Sequence, residues 1–269
     1  MSTIQAYTTA TRPSAVGNTG LTIFNTTSKD INVSDGTSWR AYANDGVSIV
    51  LGASTHSLAL DGTDDRMECG DVSGISSVTA FSVSAWFRTS STATMYLLSG
   101  VGSATDPSAF YDGFQVYISG GKPYFVVGNG ASKYDGANNT TTVNDDDWHH
   151  VVGVMNGSTY TVYVDGSTVG STNIGDGTVS TTHSTCGGNF TIGERFDSNN
   201  TYAFNGYVDD VAVFNRALTS SEVSNIYNNA DYLSPINLWK MDDSTDDLVG
   251  SNNGTLQANA DFTDLTKRT

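Results

Sequence analysis

The chain has few cysteines and few basic residues, and both shortages limit what it can be. Cys69 and Cys186 are the two cysteines among 269 residues, too few for a disulfide scaffold and without the spacing of a metal site. We expect free core thiols, with a single disulfide as the alternative. Lys and Arg number 12 against 28 Asp and Glu, a formal net charge of −16. Because phosphate backbones attract clustered basic side chains, this balance argues against nucleic acid as a partner.

Long apolar runs are also missing. No segment approaches the roughly 20 consecutive apolar residues of a transmembrane helix, so we expect no membrane insertion. Residues 1–20 lack the basic stretch followed by an apolar stretch that marks an export signal. We therefore expect synthesis in a cytoplasm without a signal peptide, with any role outside a cell requiring release by lysis or as part of a particle.

Glutamate is scarce, and this bears on catalysis. The glutamates are Glu68, Glu194 and Glu222. Glycoside hydrolysis needs two carboxyl groups roughly 5 Å apart, or somewhat wider for inversion, and the closest pairing is Glu194 with Asp197 at loop spacing. His149 and His150 are neighbours on a predicted strand, so they point to opposite faces and cannot easily share a zinc ion. The sequence therefore predicts no catalytic residue.

Short alternating strands and tight turns dominate the middle of the chain. The segment Phe81–Phe87 alternates apolar and polar residues, which places Phe81, Val83, Ala85 and Phe87 on one face. The strands at 148–154 and 160–164 are joined by Asn156-Gly157, a pair that favours a hairpin turn. Regular short strands without helical periodicity predict an all-β fold, a two-sheet antiparallel jelly-roll sandwich.

One short helix is predicted near residues 220–228. Thr219 and Glu222 have the spacing of a capping box, in which each side chain satisfies a backbone amide at a helix start. Val223, Ile226 and Tyr227 would then share one face. We expect this helix to close one end of the sandwich rather than to take part in chemistry.

Changes of pattern divide the chain into three zones: an N-terminal hairpin at 1–50, a jelly roll at 51–232, and a C-terminal hairpin and tail at 233–269. A lone hairpin is marginally stable in water, so the first zone should pack on the main domain or on copies of itself. We favour self-association into a homo-oligomer through its apolar and aromatic residues. These are Leu21, Ile23, Phe24, Ile31, Val33 and Trp39.

Five ordered blocks resemble the laminin-G-like, concanavalin A-like jelly roll. They lie at 57–65, 81–88, 148–151, 163–166 and 206–223. The resemblance implies a sandwich used for adhesion and glycan binding, hence binding before catalysis. Aromatic rings near loops or strand ends would stack on sugars, with ordinary packing as the alternative for each ring. The candidates are Tyr111, Tyr117, Tyr124, Tyr134 and Tyr202.

The C-terminal segments 238–243 and 250–256 resemble the opening hairpin of the same family, although here they follow the domain. They could complete a sheet of their own chain, exchange with a neighbouring subunit, or be the remnant of a second domain; we favour completion or exchange. Some relatives bind calcium near this hairpin, which implies ligands at Asp242, Asp246 and Asn252, since calcium prefers several oxygen ligands. Acidic turns without metal are the alternative, and no other cofactor is predicted.

Residues 20–39 are similar to hairpins in tail-fibre and other virion proteins of tailed bacteriophages. Together with the jelly roll, this resemblance implies a non-catalytic virion structural protein, a capsid decoration or fibre component made in the host cytoplasm and displayed on the virion surface. Its partners would be its own copies, with a trimer expected, other virion proteins and a cell-surface glycan. The alternatives are a secreted or cell-surface carbohydrate-binding module and, third, a glycoside hydrolase.

Overall fold

The computed structural model forms two compact units, one of residues 1–50 with 231–234 and one of residues 51–230 with 235–269. Side chains are described only beyond residue 50. The structure describes residues 5–7, 22–25, 30–34, 39–42, 48–51, 54–100, 113–128, 134–168, 171–175, 189–195 and 201–264.

The smaller unit contains a four-stranded sheet in chain order. Its strands are β1 (Gln5–Tyr7), β2 (Thr22–Asn25), β3 (Asp30–Ser34) and β4 (Trp39–Tyr42). β1 runs parallel to β2, and the other pairs are antiparallel. A fifth strand, β5 (Ser48–Val50), pairs with Asp231–Leu233. The predicted assembly residues Ile23, Phe24, Ile31, Val33 and Trp39 lie on β2, β3 and β4, whereas Leu21 lies outside the described residues.

The larger unit contains the remaining strands, a short 3-10 turn at Ser73–Ile75 and one described α-helix. The elements are β6 (Ser57–Asp61), β7 (Arg66–Gly70), β8 (Ala80–Arg88), β9 (Met95–Gly100), β10 (Phe114–Ser119), β11 (Lys122–Gly128), β12 (Tyr134–Asn139), β13 (Trp148–Asn156), β14 (Thr159–Val164), β15 (Ser171–Ile174), β16 (Phe190–Ile192), β17 (Asn205–Phe214), α1 (Ser220–Asn229), β19 (Asn237–Trp239), β20 (Thr255–Gln257) and β21 (Asp261–Thr263), with β18 being Asp231–Leu233 of the smaller unit.

These strands form two antiparallel sheets. The eight-stranded sheet has the order β15-β12-β11-β10-β9-β16-β7-β20. The seven-stranded sheet has the order β14-β13-β8-β17-β6-β21, with β19 also paired to β17. The predicted all-β sandwich is therefore confirmed, and α1 is the one α-helix in the part of the chain that the structure describes. No described helix is long and apolar enough to cross a membrane.

The core lies between the two sheets. Phe81, Val83, Ala85 and Phe87 are all buried there, as the alternation on β8 predicts. The Phe81 ring lies 5.4 Å from that of Phe114 on the opposite sheet, and burial of each large apolar side chain contributes about 1.5–3 kcal/mol. Cys69 is a free, buried thiol whose pKa is raised by its burial; Cys186 lies outside the described residues.

Helix α1 lies against the outward face of the seven-stranded sheet. Thr219 and Glu222 form the predicted capping box. Val223 and Ile226 are buried, and the Tyr227 ring stacks at 5.5 Å on that of Trp86, a β8 residue. The helix therefore lies over a face of the sheet, whereas the sequence analysis expected it to close one end of the sandwich, and it buries side chains that would otherwise face solvent.

The C-terminal segments pair with strands of their own chain, in a form that differs from a simple hairpin. β19 joins β17 and β21 joins β6 in one sheet, whereas β20 joins β7 in the other. Asp65 stabilises two chain reversals, one after β6 and one before β21. Its carboxylate accepts hydrogen bonds from the backbone N–H groups of Asp61 at 2.9 Å and Asn259 at 2.8 Å. The last strands therefore complete both sheets.

Candidate functional site

The outward face of the eight-stranded sheet carries three tyrosines side by side. Tyr117 on β10 is paired with Tyr96 on β9 and with Tyr124 on β11. Side chains alternate along a strand, and Val116 and Ile118 fill the core, so these rings point outward. The rings of Tyr117 and Tyr124 are stacked with centroids 4.7 Å apart, and the Tyr96 ring meets Tyr117 edge-on at 5.9 Å. We call these three residues the tyrosine row.

Tyr202 extends this row through a ring contact, and Tyr134 lies near enough to Tyr117 to affect the pKa of its hydroxyl. Tyr202 is 40% exposed, its ring lies edge-on to Tyr96 at 5.5 Å, and its carbonyl accepts the Tyr96 N–H at 2.9 Å. Burial raises the pKa of Tyr117, and the neighbouring phenols of Tyr134, Tyr124 and Tyr96 raise it further. The Tyr117 hydroxyl is therefore a neutral donor at ordinary pH. We call the row with Tyr134 and Tyr202 the tyrosine cluster.

Four of the five sequence candidates, Tyr117, Tyr124, Tyr134 and Tyr202, come together in this cluster. Tyr111 lies outside the described residues. Sequence reasoning missed Tyr96, which lies in a strand whose other residues are mostly apolar. The alternation of Met95 and Leu97 around it was the available signal, since it places Tyr96 on the opposite face.

Charged residues adjoin the cluster. The Arg195 guanidinium lies 5.4 Å from the centre of the Tyr96 ring, a cation–π geometry. The preceding residue, Glu194, is 2% exposed and forms an ion pair with Arg66 at 3.4 Å, while Arg66 pairs with Glu68 at 2.8 Å. Two carboxylates thus neutralise one guanidinium. Glu194 is engaged in this ion pair, and Asp197, with which the sequence pairs it, lies outside the described residues.

A second line of side chains runs beside the tyrosine row on the same face. Strand pairing aligns its members across five adjacent strands, and we call them the polar row: Gln115, Ser99, Thr191, Glu68 and Thr255. At its far end lies a cavity of about 330 Å³. The cavity lining is mostly polar and includes Glu68, Thr191 and Thr255. This face therefore combines aromatic rings with neutral and charged hydrogen-bonding groups.

The predicted calcium ligands Asp242, Asp246 and Asn252 all form hydrogen bonds within the protein. Burial opposes ionisation of Asp242, but hydrogen bonds from Lys240 and from the backbone N–H groups of Thr55 and His56 lower its pKa to about 2. Asp242 thus ties two segments together. Calcium binding there stays a prediction.

Asn252 and Asp246 belong to the turn around Asp247. The Asn252 amide donates to the carbonyls of Cys69 and Asp71, and Asp246 accepts from Asn253. Burial disfavours the charged form of Asp247, but backbone hydrogen bonds from Leu238 and Gly250 help to lower its pKa. These residues hold the C-terminal turn in place.

The carboxylates of Asp61, Asp64 and Asp65 lie within 4.8 Å of one another and are the one such acidic group among the described residues. Both oxygens of Asp65 already accept backbone N–H groups. Asp65 of this cluster therefore stabilises a chain reversal.

The outward face of the seven-stranded sheet contains a pair that resembles a nucleophile and its base. Ser84 Oγ and His150 Nε2 are 2.8 Å apart, but both residues are fully buried. The Tyr227 ring lies over His150 with centroids 6.1 Å apart. Since no substrate can reach the hydroxyl without removal of the helix, the pair is structural. His149 faces the other way and binds Asp165 at 2.8 Å and Asp145 at 3.0 Å.

The two-sheet sandwich and the tyrosine-bearing outward face of its eight-stranded sheet together define a lectin-like jelly roll. A laminin G-type family model, described as the concanavalin A-like lectin/glucanases superfamily, matches residues 61–224. This is more than half of the chain, which therefore belongs to that superfamily. No curated protein matches the chain.

Solved structures of similar fold include a candidate carbohydrate-binding protein from Bacteroides ovatus and a heptameric SAP-like pentraxin from Limulus polyphemus. The first has a TM-score of 0.57 and 15% identity, and the match covers 80% of this chain and 61% of that one. The second has a TM-score of 0.50 and 17% identity, with coverage of 77% and 96%. The chain thus spans about three fifths of the Bacteroides protein. At these identities the likeness shows the fold.

Proposed function

We propose that this protein is a non-catalytic carbohydrate-binding protein that holds glycan on the tyrosine cluster. The observation that carries the proposal is the convergence of Tyr96, Tyr117, Tyr124, Tyr134 and Tyr202 from separate parts of the chain onto one sheet face. Tyrosine presents a large apolar ring with a polar hydroxyl, and its side chain loses little conformational entropy on binding. Such rings suit the apolar faces and the hydroxyl groups of sugars.

The surrounding groups support the same function. A ligand site combines apolar contact area with a few polar groups that fix orientation. The polar row and Arg195 supply such groups beside the rings. Membership of a lectin and glucanase superfamily is consistent with this proposal at the level of fold.

A glycan array followed by calorimetry tests the proposal. We expect binding by the unmodified protein and affinity about tenfold weaker in Tyr202→Ala and Tyr124→Ala, because each loses a ring that would stack on sugar. Tyr207→Ala is the matched control, since Tyr207 is a half-buried tyrosine on the other sheet. Absence of any glycan ligand, or equal losses in the control, would contradict the proposal.

The same experiments test the absence of catalysis. The ligand incubated with the protein should be recovered intact, and Glu194→Gln should leave it equally intact. Hydrolysis that disappears in Glu194→Gln would replace our proposal with a glycoside hydrolase.

Display on a bacteriophage particle is the second part of the proposal, and it rests on the sequence of residues 20–39. The sandwich would be the outward part of a capsid decoration or fibre component, and the N-terminal strands would join copies of the chain. Mass spectrometry of purified particles should then detect this chain, and sedimentation should show a homo-oligomer that Phe24→Asp disrupts. A monomer isolated from a cell envelope would favour a cell-surface carbohydrate-binding module.

A further inference from the structure

Gln115 and Ser99 are buried polar side chains whose hydrogen bonds are unmet. Both residues are 0% exposed. Among the residues that the structure describes, the Gln115 amide oxygen and nitrogen and the Ser99 hydroxyl have no hydrogen-bond partner. Buried polar groups are nearly always paired in folded proteins, so each exception calls for an explanation.

The position of the pair points to a ligand. Gln115 and Ser99 are direct partners across β10 and β9, in the polar row. Gln115 and Tyr117 lie two residues apart on one strand, so they share the outward face. A molecule stacked on the tyrosine row would therefore lie next to these unmet groups.

The charges of the face indicate the ligand's chemistry. Arg66 is neutralised by Glu68 and Glu194, and Arg195 lies over the Tyr96 ring. Lys122, at the end of β11, donates to the Thr140 carbonyl at 2.7 Å. A protein of net charge −16 would repel a sulfated or carboxylated glycan. Each described arginine on this face is already engaged, Arg66 by carboxylates and Arg195 by an aromatic ring.

We propose that Gln115, with Ser99, determines specificity by hydrogen bonding to hydroxyl groups of an uncharged sugar; this inference rests on the proposed carbohydrate-binding function. A sugar hydroxyl both donates and accepts, which matches a carboxamide with its acceptor oxygen and donor nitrogen. A sulfate or carboxylate offers acceptors alone and would leave the amide oxygen unpaired. Because the pair has no contact with solvent, the sugar reaches it when the side chains that cover the pair move aside.

Gln115→Met separates this role from a structural one, because methionine keeps the shape and removes both polar atoms. Removing an unmet buried group should raise Tm by about 2–4 °C, while affinity for a neutral glycan should fall about tenfold. Ser57→Ala is the matched control. Ser57 Oγ is also buried and unpartnered among the described residues, but it lies on β6 of the other sheet, so that variant should keep full affinity.

The ligands are one neutral polysaccharide and its sulfated derivative, measured with the full chain by calorimetry. We expect the neutral polysaccharide to bind at least about tenfold more tightly than the sulfated one. We also expect the affinity for the neutral polysaccharide to be the same at low and at high salt concentration. Unchanged affinity in Gln115→Met, or tighter binding of the sulfated form, would overturn the inference while leaving the proposed function in place. Failure of the unmodified protein to bind either form would instead overturn the proposed function.

Discussion

The two outward faces of the sandwich carry similar aromatic and polar residues, but these residues are covered by a helix on one face and not by a described helix on the other. On the seven-stranded sheet, Trp86 and His150 are covered by Tyr227 of α1, and the His150 ring nitrogen is paired with Ser84. On the eight-stranded sheet, Tyr202 is exposed and Gln115 is unpaired among described residues. A covering helix turns outward aromatic and polar residues into a second core. No described helix lies over the outward face of the eight-stranded sheet, and Tyr202 there keeps a ring that a ligand can contact.

The largest expected difference between the faces is in stability. Ile226→Ala removes a buried side chain of α1 and should lower the free energy of unfolding by about 2–5 kcal/mol. Tyr202→Ala, on the other face, should change it by no more than about 0.5 kcal/mol. Urea unfolding of both variants measures this, and equal losses would show that the two faces are equally structural.

A smaller loss is expected from the start of α1. Thr219→Ala removes the hydroxyl that accepts the Glu222 N–H and should cost about 1 kcal/mol. The loss should appear in urea unfolding with glycan affinity unchanged. Thr219→Ser, which keeps the hydroxyl, is the control; a loss of the same size in both would assign the effect to something other than the cap.

The smallest effect is a pH dependence at His149, which faces away from α1. Burial lowers its pKa, but the hydrogen bonds that its ring donates to the carboxylates of Asp165 and Asp145 outweigh this, so the pKa in the folded state lies above the ordinary value. The resulting stabilisation is fully present below the unfolded-state pKa of about 6.5 and is lost as pH rises through the folded-state pKa.

Thermal unfolding between about pH 5 and pH 9 tests this behaviour, because that range spans the ordinary histidine pKa. The unmodified protein should lose stability across the upper part of the range relative to His149→Gln, whose side chain does not titrate. Parallel curves for the two proteins would contradict the assignment.

The sequence was most informative where one strand or turn decides the outcome. The alternation at Phe81–Phe87 and the spacing of Thr219 and Glu222 predict their structures because the forces involved are local. β20 and β21 pair with edge strands of opposite sheets. Which strands lie at the sheet edges depends on the whole fold, so these pairings could not be predicted from the local sequence. Sequence reasoning therefore favoured completion or exchange without deciding between them.

The candidate site was only partly predictable for the same reason. Single tyrosines could be named, but their convergence depends on the registers of β9, β10 and β11. The hydrogen bonds that Asp242 accepts from the backbone N–H groups of Thr55 and His56 could not be predicted, because these residues are distant from it in sequence. That the Gln115 side chain has no hydrogen-bond partner among the described residues can be recognised only once its neighbours have been placed.

Ligand protection of tyrosines tests the central claim most directly. The protein would be treated with a tyrosine-nitrating reagent with and without a bound polysaccharide, and modification at each tyrosine would be measured by mass spectrometry. We predict that the ligand protects Tyr202 and Tyr124 and leaves Tyr207, on the other sheet, equally modified. A bound glycan that protects Tyr207 and leaves Tyr202 and Tyr124 unprotected would contradict the assignment of the binding face.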